Sequence, residues 1–115
     1  MKKRLKSFLK IYEHINKKFC NDKLKISKIV FFKRCKDKPC KAVIVGYYKK
    51  YNKVIGIKLD KPLISQIDTL CHELSHAYQH QILGHSGRHD KKGGKIYHDF
   101  LKETDKILKV DFKKI

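Results

Sequence analysis

The chain has 115 residues, and its 29 Lys and Arg against 11 Asp and Glu give a formal net charge of +18. A chain of this length supports one domain, residues 1–115, which buries roughly 60 to 70% of the surface that its unfolded form exposes, and it has no room for a second domain. No run approaches the roughly 18 consecutive apolar residues of a membrane-spanning helix. We therefore expect a soluble domain without membrane contact.

The N-terminal segment is charged, but Lys6, Lys10 and Glu13 interrupt any apolar run, so no signal peptide is predicted. We expect a cytoplasmic protein that is monomeric. In that compartment cysteines stay reduced. The four cysteines expected as thiols are Cys20, Cys35, Cys40 and Cys71.

The positive charge is concentrated in the first half of the chain. Residues 1–61 contain 20 basic residues (Lys and Arg) and 4 acidic residues (Asp and Glu). Residues 62–90 contain 1 basic and 3 acidic residues. An excess of this size predicts attraction to a polyanion such as DNA. Because almost all of the basic residues are lysines, we expect contacts with phosphates more than with base edges, which disfavours sequence-specific recognition.

The order of predicted elements is one helix, three strands and two helices. Apolar residues at helical spacing predict an amphipathic helix over residues 3–19, and a turn follows at Asn21 and Asp22. Three β-rich runs cover residues 26–33, 42–48 and 54–59. Their short polar connections, residues 36–39 and 49–53, favour antiparallel hairpins.

Two helices are predicted after Pro62. The first continues to Leu83 and stops at Gly84, residues 85–90 read as a loop, and the last helix covers residues 96–108. The fold class expected is therefore α+β, with an N-terminal helix, a three-stranded antiparallel sheet, a central helix and a C-terminal helix.

The central helix carries the motif His72-Glu73-Leu-Ser-His76, and six of the seven histidines lie within residues 72–98. At 3.6 residues per turn the two motif histidines stack on one face about 6 Å apart along the axis, so both imidazoles can reach one zinc ion. Glu73 lies beside the attacking water and can take its proton. The pattern predicts a metal site with Glu73 as the catalytic group.

A catalytic zinc needs a third protein ligand and an open position. His80 continues the same helical face, but it lies about 12 Å from His72 along the axis, which is too far for one ion to join His72, His76 and His80. The loop after Gly84 leaves His85 and His89 as the candidates, with Asp90 and His98 behind them, and the longer reach of His89 favours it.

Two segments resemble the SprT-like (Spartan-type) zinc metalloprotease family. Residues 15–24, Ile-Asn-Lys-Lys-Phe-Cys-Asn-Asp-Lys-Leu, are similar to that family's opening helix and turn, and residues 68–77, Asp-Thr-Leu-Cys-His-Glu-Leu-Ser-His-Ala, are similar to its active helix. With the strands between them, the resemblance covers most of the chain. It implies a minimal zincin-like fold without a C-terminal zinc ribbon, because the chain has no Cys-x-x-Cys pair.

The resemblance also implies a site and an activity. The family's third histidine ligand follows after a loop, and by spacing His89 matches that position, with His85 as the alternative. The implied activity is zinc-dependent hydrolysis of DNA-associated proteins, including DNA–protein crosslinks, often with DNA as the activator. A minimal core of this kind would fit a phage, viral or compact bacterial protein located at the nucleoid.

DNA binding is predicted around the connection between the second and third strands. Lysines there would neutralise phosphates, and the neighbouring tyrosines Tyr47, Tyr48 and Tyr51 could stack on unpaired bases, although each of them taken singly is more typical of a residue that packs on the sheet. We therefore expect single-stranded or distorted DNA as the nucleic-acid partner. The predicted contact residues are Lys49, Lys50, Tyr51 and Lys53.

Two classes of function follow from these observations. The first is a zinc peptidase that hydrolyses a protein substrate, with the strand at residues 54–59 as the edge on which an extended substrate pairs. The second is a non-catalytic nucleic-acid or host-factor binding module in which Zn²⁺ only stabilises a small fold. Glu73 favours the first, because a structural site has no use for a carboxylate beside an open coordination position.

Overall fold

The computed structural model describes residues 2–33, 45–59, 61–84 and 91–111, and the side chains of residues 2, 3, 91, 92 and 108–111 are outside this description. Within these ranges the chain forms three helices and three strands. The elements in chain order are α1 (Lys2–Cys20), β1 (Lys28–Phe32), β2 (Gly46–Lys49), β3 (Val54–Lys58), α2 (Leu63–Gln81) and α3 (Lys91–Asp111).

The α+β class and the order of the elements agree with the prediction. Helices α1 and α2 begin and end within two residues of the predicted bounds, and the turn after α1 lies at Asn21 and Asp22, both with positive φ. Helix α3 begins at Lys91, five residues before the predicted start, because apolar periodicity cannot mark a first turn made of lysines and glycines.

The sheet is mixed, so the prediction that it is antiparallel throughout is wrong. Its strand order is β1-β3-β2. Strand β3 pairs with β2 in antiparallel orientation and with β1 in parallel orientation, with Ile55 opposite Tyr48 on one side and Ile29 on the other. The predicted substrate edge at residues 54–59 is therefore wrong as well, because β3 is the central strand and both of its sides are paired.

Connection lengths explain this difference. Only residues 50–53 separate β2 from β3, and this short turn, in which Lys53 has a φ of 56°, makes the predicted hairpin. Residues 33–45 separate β1 from β2, which is long enough for β2 to lie away from β1 and for β3 to pair between them. The predicted turn at residues 36–39 lies outside the described residues.

The core lies between one face of the sheet and the helices. The Phe8 ring of α1 contacts the Phe31 ring of β1, with 5.5 Å between centroids, while α2 packs on β2 and β3. Helix α3 covers α2 from the other side. The largest fully buried apolar side chains are Phe8, Ile11, Ile15, Leu24, Ile55, Ile57, Leu70, Leu74 and Phe100.

Two cysteines lie among the described residues, and both are buried free thiols. Burial raises the pKa of Cys20 to about 11 and that of Cys71 to about 12. Both therefore behave as small core residues at neutral pH. Cys35 and Cys40 lie outside the described residues.

None of the described helices combines the length and the apolar character that crossing a bilayer requires.

A charged contact joins α1 to α3. The carboxylate of Glu103 accepts hydrogen bonds from His14 Nε2 at 2.7 Å and from Lys18 Nζ at 2.9 Å, and Lys106 lies 3.6 Å away. The hydrogen bonds from His14 and Lys18 lower the pKa of Glu103 to about 2. The carboxylate is nearly buried, with 9% of its side chain exposed, so its loss leaves the facing cations without their acceptor.

We predict that Glu103→Gln lowers the free energy of unfolding at pH 7 by about 1 kcal/mol. Because the folded pKa is below the ordinary value of 4.5, the contribution of Glu103 is present above pH 4.5 and is lost as the pH falls toward 2. The difference between wild type and variant in urea unfolding should therefore shrink over that interval. Asp105→Asn, the same loss of charge at an exposed position of α3, is the control and should change stability by less than about 0.5 kcal/mol. Equal effects of the two substitutions at pH 7 would contradict the assignment.

Candidate metal centre

The candidate site is a polar stripe along α2, formed by side chains four residues apart: Asp68, His72, His76 and His80. Side chains at this spacing lie one above another on a helix. The adjoining face of α2 is apolar and buried against the sheet and α3, which fixes the rotation of the helix and leaves the three histidines partly exposed beside the core. The buried apolar residues of this helix are Ile67, Leu70, Cys71, Leu74 and Ala77.

The two motif histidines converge. Their Nε2 atoms are 3.1 Å apart, and the ring planes are nearly perpendicular, with 4.6 Å between centroids. Two imidazole nitrogens bound tetrahedrally to one zinc ion, each at about 2.0–2.1 Å, would be separated by about 3.3 Å. The positions of these two donors therefore fit a shared zinc ion.

Glu73 lies beside this pair on the side that faces the sheet. Its side chain is buried, with 7% exposed, and burial raises the pKa of its carboxyl to about 7. A carboxyl in this range can both accept and release a proton at neutral pH.

Gly46 at the start of β2 lets the strand approach α2 at this point. A Cβ atom at position 46 would lie 2.3 Å from Thr69 Cγ2 and 2.9 Å from the Gly56 carbonyl oxygen, and 3.5 Å from Glu73 Oε2. The sheet edge is thus pressed against α2 next to the Glu73 carboxylate. Sequence reasoning gave this glycine no role, because its function depends on a contact between distant segments.

His80 is engaged at the far end of the stripe. Its Nδ1 atom lies 3.1 Å from the Tyr48 hydroxyl oxygen on β2, and Gln81 donates to that same oxygen at 3.0 Å. This contact joins the His80 end of the stripe to β2. It also places Tyr48, for which base stacking and packing on the sheet were both considered, on the helix side of the sheet.

A tyrosine of α3 closes the other end of the stripe. Tyr97 donates a hydrogen bond to the Asp68 carboxylate, and its ring packs edge-on against the His72 ring with 5.5 Å between centroids. Burial and the contact with Asp68 raise the pKa of Tyr97, so its hydroxyl keeps its proton. The helical spacing of Asp68 from His72 signals a shared face, whereas nothing in the sequence places Tyr97 there.

The expected third ligand, His89, and its alternative, His85, lie outside the described residues. Among the residues that are described, no group of three His, Cys, Asp or Glu side chains could hold a metal ion. The described part of the site is therefore the His72–His76 pair with Glu73.

The predicted DNA-contacting residues lie at the end of the β2–β3 hairpin. Lys49 ends β2 with its Nζ atom 5.3 Å from the centre of the Tyr47 ring, while Lys50, Tyr51 and Lys53 belong to the turn. Tyr51 is fully exposed. The hairpin brings these four residues together.

Comparison of the chain with protein-family models, with curated proteins and with solved structures finds no match.

We predict that Gly46→Ala lowers the free energy of unfolding by about 1–3 kcal/mol, because the new methyl group must displace either Thr69 or the β3 backbone. Gly94→Ala is the matched control: outside its own helical turn, no atom of the described residues lies within 4 Å of the added Cβ, and alanine in α3 should raise stability by up to about 1 kcal/mol. Urea unfolding of both variants measures this. Unchanged stability in Gly46→Ala would mean that the approach of β2 to α2 is looser than described.

Proposed function

We propose that the protein is a zinc-dependent metallopeptidase. The observation that carries the proposal is the 3.1 Å approach of the His72 and His76 Nε2 atoms, with the buried carboxylate of Glu73 beside them. Two imidazoles held in this way supply neutral nitrogen donors suited to zinc. The proposed third donor is His89, with His85 as the alternative.

Zinc bound there would polarise a peptide carbonyl and make water more acidic. Glu73 would accept the proton of the attacking water at a carboxylate oxygen and donate it to the departing amide nitrogen, so that each turnover returns it to its starting state. Its buried position favours this exchange, because a desolvated carboxylate binds a proton more readily than one in water.

An extended substrate would lie along β2. Strand β2 is at the edge of the sheet, and Gly46 brings that edge against α2 next to Glu73. Backbone groups at a sheet edge can pair with an added strand. In this proposal the substrate pairs with β2, and not with the third strand as the sequence had suggested.

The resemblance of residues 68–77 to the SprT-like active helix supports DNA-associated proteins as the substrate class. The net charge of +18 supports the same class, because a domain attracted to DNA meets the proteins bound there. The alternative is a binding module with a structural zinc, in which Glu73 would have no chemical role. Substitution of Glu73 distinguishes the peptidase from the binding module.

We predict that Glu73→Gln retains zinc and loses peptidase activity by at least about 100-fold, since the carboxylate moves a proton and is not a ligand. The measurements are zinc content of the dialysed protein and hydrolysis of a denatured protein substrate at saturating zinc. Glu13→Gln, at an exposed position of α1, is the control and should keep both properties. Wild-type hydrolysis by Glu73→Gln would reject the peptidase, and zinc binding without hydrolysis in the wild type would favour the binding module.

We predict that the third ligand is identified by zinc titration of alanine variants. Removal of a ligand should weaken zinc affinity by more than about 100-fold, a larger loss than removal of a ligand's hydrogen-bonding partner causes. His72→Ala, His76→Ala and His89→Ala should show this loss and should no longer be stabilised by added zinc against heat. His80→Ala is the control, because its imidazole contacts Tyr48. Loss in His85→Ala with retention in His89→Ala would move the ligand to His85.

A further inference from the structure

The two faces of the sheet differ in what covers them. Side chains alternate along each strand, so Ile55 and Ile57 of β3 point toward the helices while Val54, Gly56 and Lys58 point away. Strand pairing extends this second face onto both neighbouring strands. The residues on it, which we call the outer face, are Lys28, Val30, Phe32, Tyr47, Lys49, Val54, Gly56 and Lys58.

Two aromatic rings lie across the centre of the outer face. Phe32 of β1 and Tyr47 of β2 stack with 5.6 Å between centroids and 29° between planes. The Tyr47 ring lies over β3 because the residue opposite it there is Gly56, where a Cβ atom would lie 2.2 Å from that ring. Phe32 belongs to the next position along the sheet, opposite Lys58. Both rings are partly exposed.

Lysines surround this aromatic pair. Lys28, Lys49 and Lys58 each lie on the outer face, one from every strand, and Lys49 Nζ is 5.3 Å from the centre of the Tyr47 ring. The three strands contain no acidic residue. The outer face therefore offers flat apolar rings within a positive field.

We propose that the outer face binds single-stranded nucleic acid, with bases stacked on Phe32 and Tyr47 and phosphates held by the three lysines. Unpaired bases expose the π-faces that such rings need, whereas a duplex keeps its bases stacked on one another. Because lysine contacts phosphate as a point charge and none of the three described strands contains arginine, binding should tolerate any base sequence.

This inference rests on the proposed function only in taking nucleic acid as the partner, and it does not depend on hydrolysis. Helices α1 and α2 pack on the opposite face of the sheet, so a strand bound on the outer face would leave the stripe of α2 uncovered. The proposed contacts also differ from the hairpin turn, since Tyr51 belongs to the turn and not to the outer face.

The test is fluorescence anisotropy of a labelled oligothymidylate of about 12 nucleotides, titrated with the full chain across a salt series. Tyr47→Leu and Phe32→Leu keep an apolar side chain at each position but remove the ring, and each should weaken binding by at least about fivefold, the lower end of the contribution of one base stacked on an aromatic side chain. The control variant is Tyr51→Leu, which should change the affinity by less than twofold. Thermal unfolding of every variant checks that each one is folded.

The charge arm compares Lys49→Glu with Lys17→Glu, which makes the same change in net charge on an exposed position of α1. Lys49→Glu should weaken binding about tenfold or more and reduce the slope of log affinity against log salt by at least about 0.7, the value for one phosphate on a single strand. Lys17→Glu should alter neither by that amount. Equal losses in the two variants would show attraction to net charge alone and overturn the proposal.

Tyrosine fluorescence gives a readout that a folding defect does not imitate. The chain has no tryptophan, so stacking of a base on Tyr47 should quench tyrosine emission in the wild type, and Tyr47→Leu should lose that quenching. A larger loss of affinity in Tyr51→Leu than in Tyr47→Leu would assign binding to the turn and overturn the outer face. Polyglutamate that competes as well as oligothymidylate would overturn base stacking. The peptidase activity of Tyr47→Leu and of Glu73→Gln is measured on a substrate free of DNA. Tyr47→Leu should keep this activity and Glu73→Gln should lose it, so a failure of nucleic-acid binding is distinguished from a failure of the proposed hydrolase.

Discussion

The burial of one face of α2 is the constraint on which the rest of the structure depends. Leu70, Leu74 and Ala77 are fully buried, and this helix contacts both β2 and β3 on one side and α3 on the other. A helix held on two sides has no freedom to rotate, because any rotation would expose these side chains at a cost of about 1.5–3 kcal/mol for each leucine. This packing therefore fixes the position of the polar side chains from Asp68 to His80 relative to the rest of the fold.

The sequence predicts the parts of the fold that local patterns encode. Apolar periodicity locates α1 and α2, and the short turn between Lys49 and Val54 predicts the β2–β3 hairpin. The pairing of β1 was not accessible in this way, because the parallel contact of Ile29 with Ile55 joins strands that are separated by another strand and a long connection. The alternation of apolar and polar residues along a strand predicts which side chains share a face of the sheet. It does not predict which strands are neighbours.

The same distinction holds for the candidate site. The approach of His72 to His76 follows from helical geometry, so the motif alone predicts it. The contact of Tyr97 with Asp68 arises where α3 packs on α2, and the close approach of Gly46 arises where β2 packs on α2. Neither contact could be predicted from the spacing of residues in the sequence. Groups that lie on one element were predictable, and groups supplied by neighbouring elements required the tertiary structure.

The distribution of charge gives α2 a special position in a strongly basic domain. Of the described helices and strands, only α2 has no Lys or Arg, and it carries Asp68 and Glu73. A dication bound to the motif histidines would therefore meet local carboxylates first, while the lysines of the other elements lie farther away and are screened beyond about 8–10 Å at physiological salt. A polyanion would be attracted to the opposite surface for the converse reason, since the strands carry lysines without acids. The sheet would then stand between the proposed cation site on α2 and the proposed anion-binding surface, and would keep the two apart.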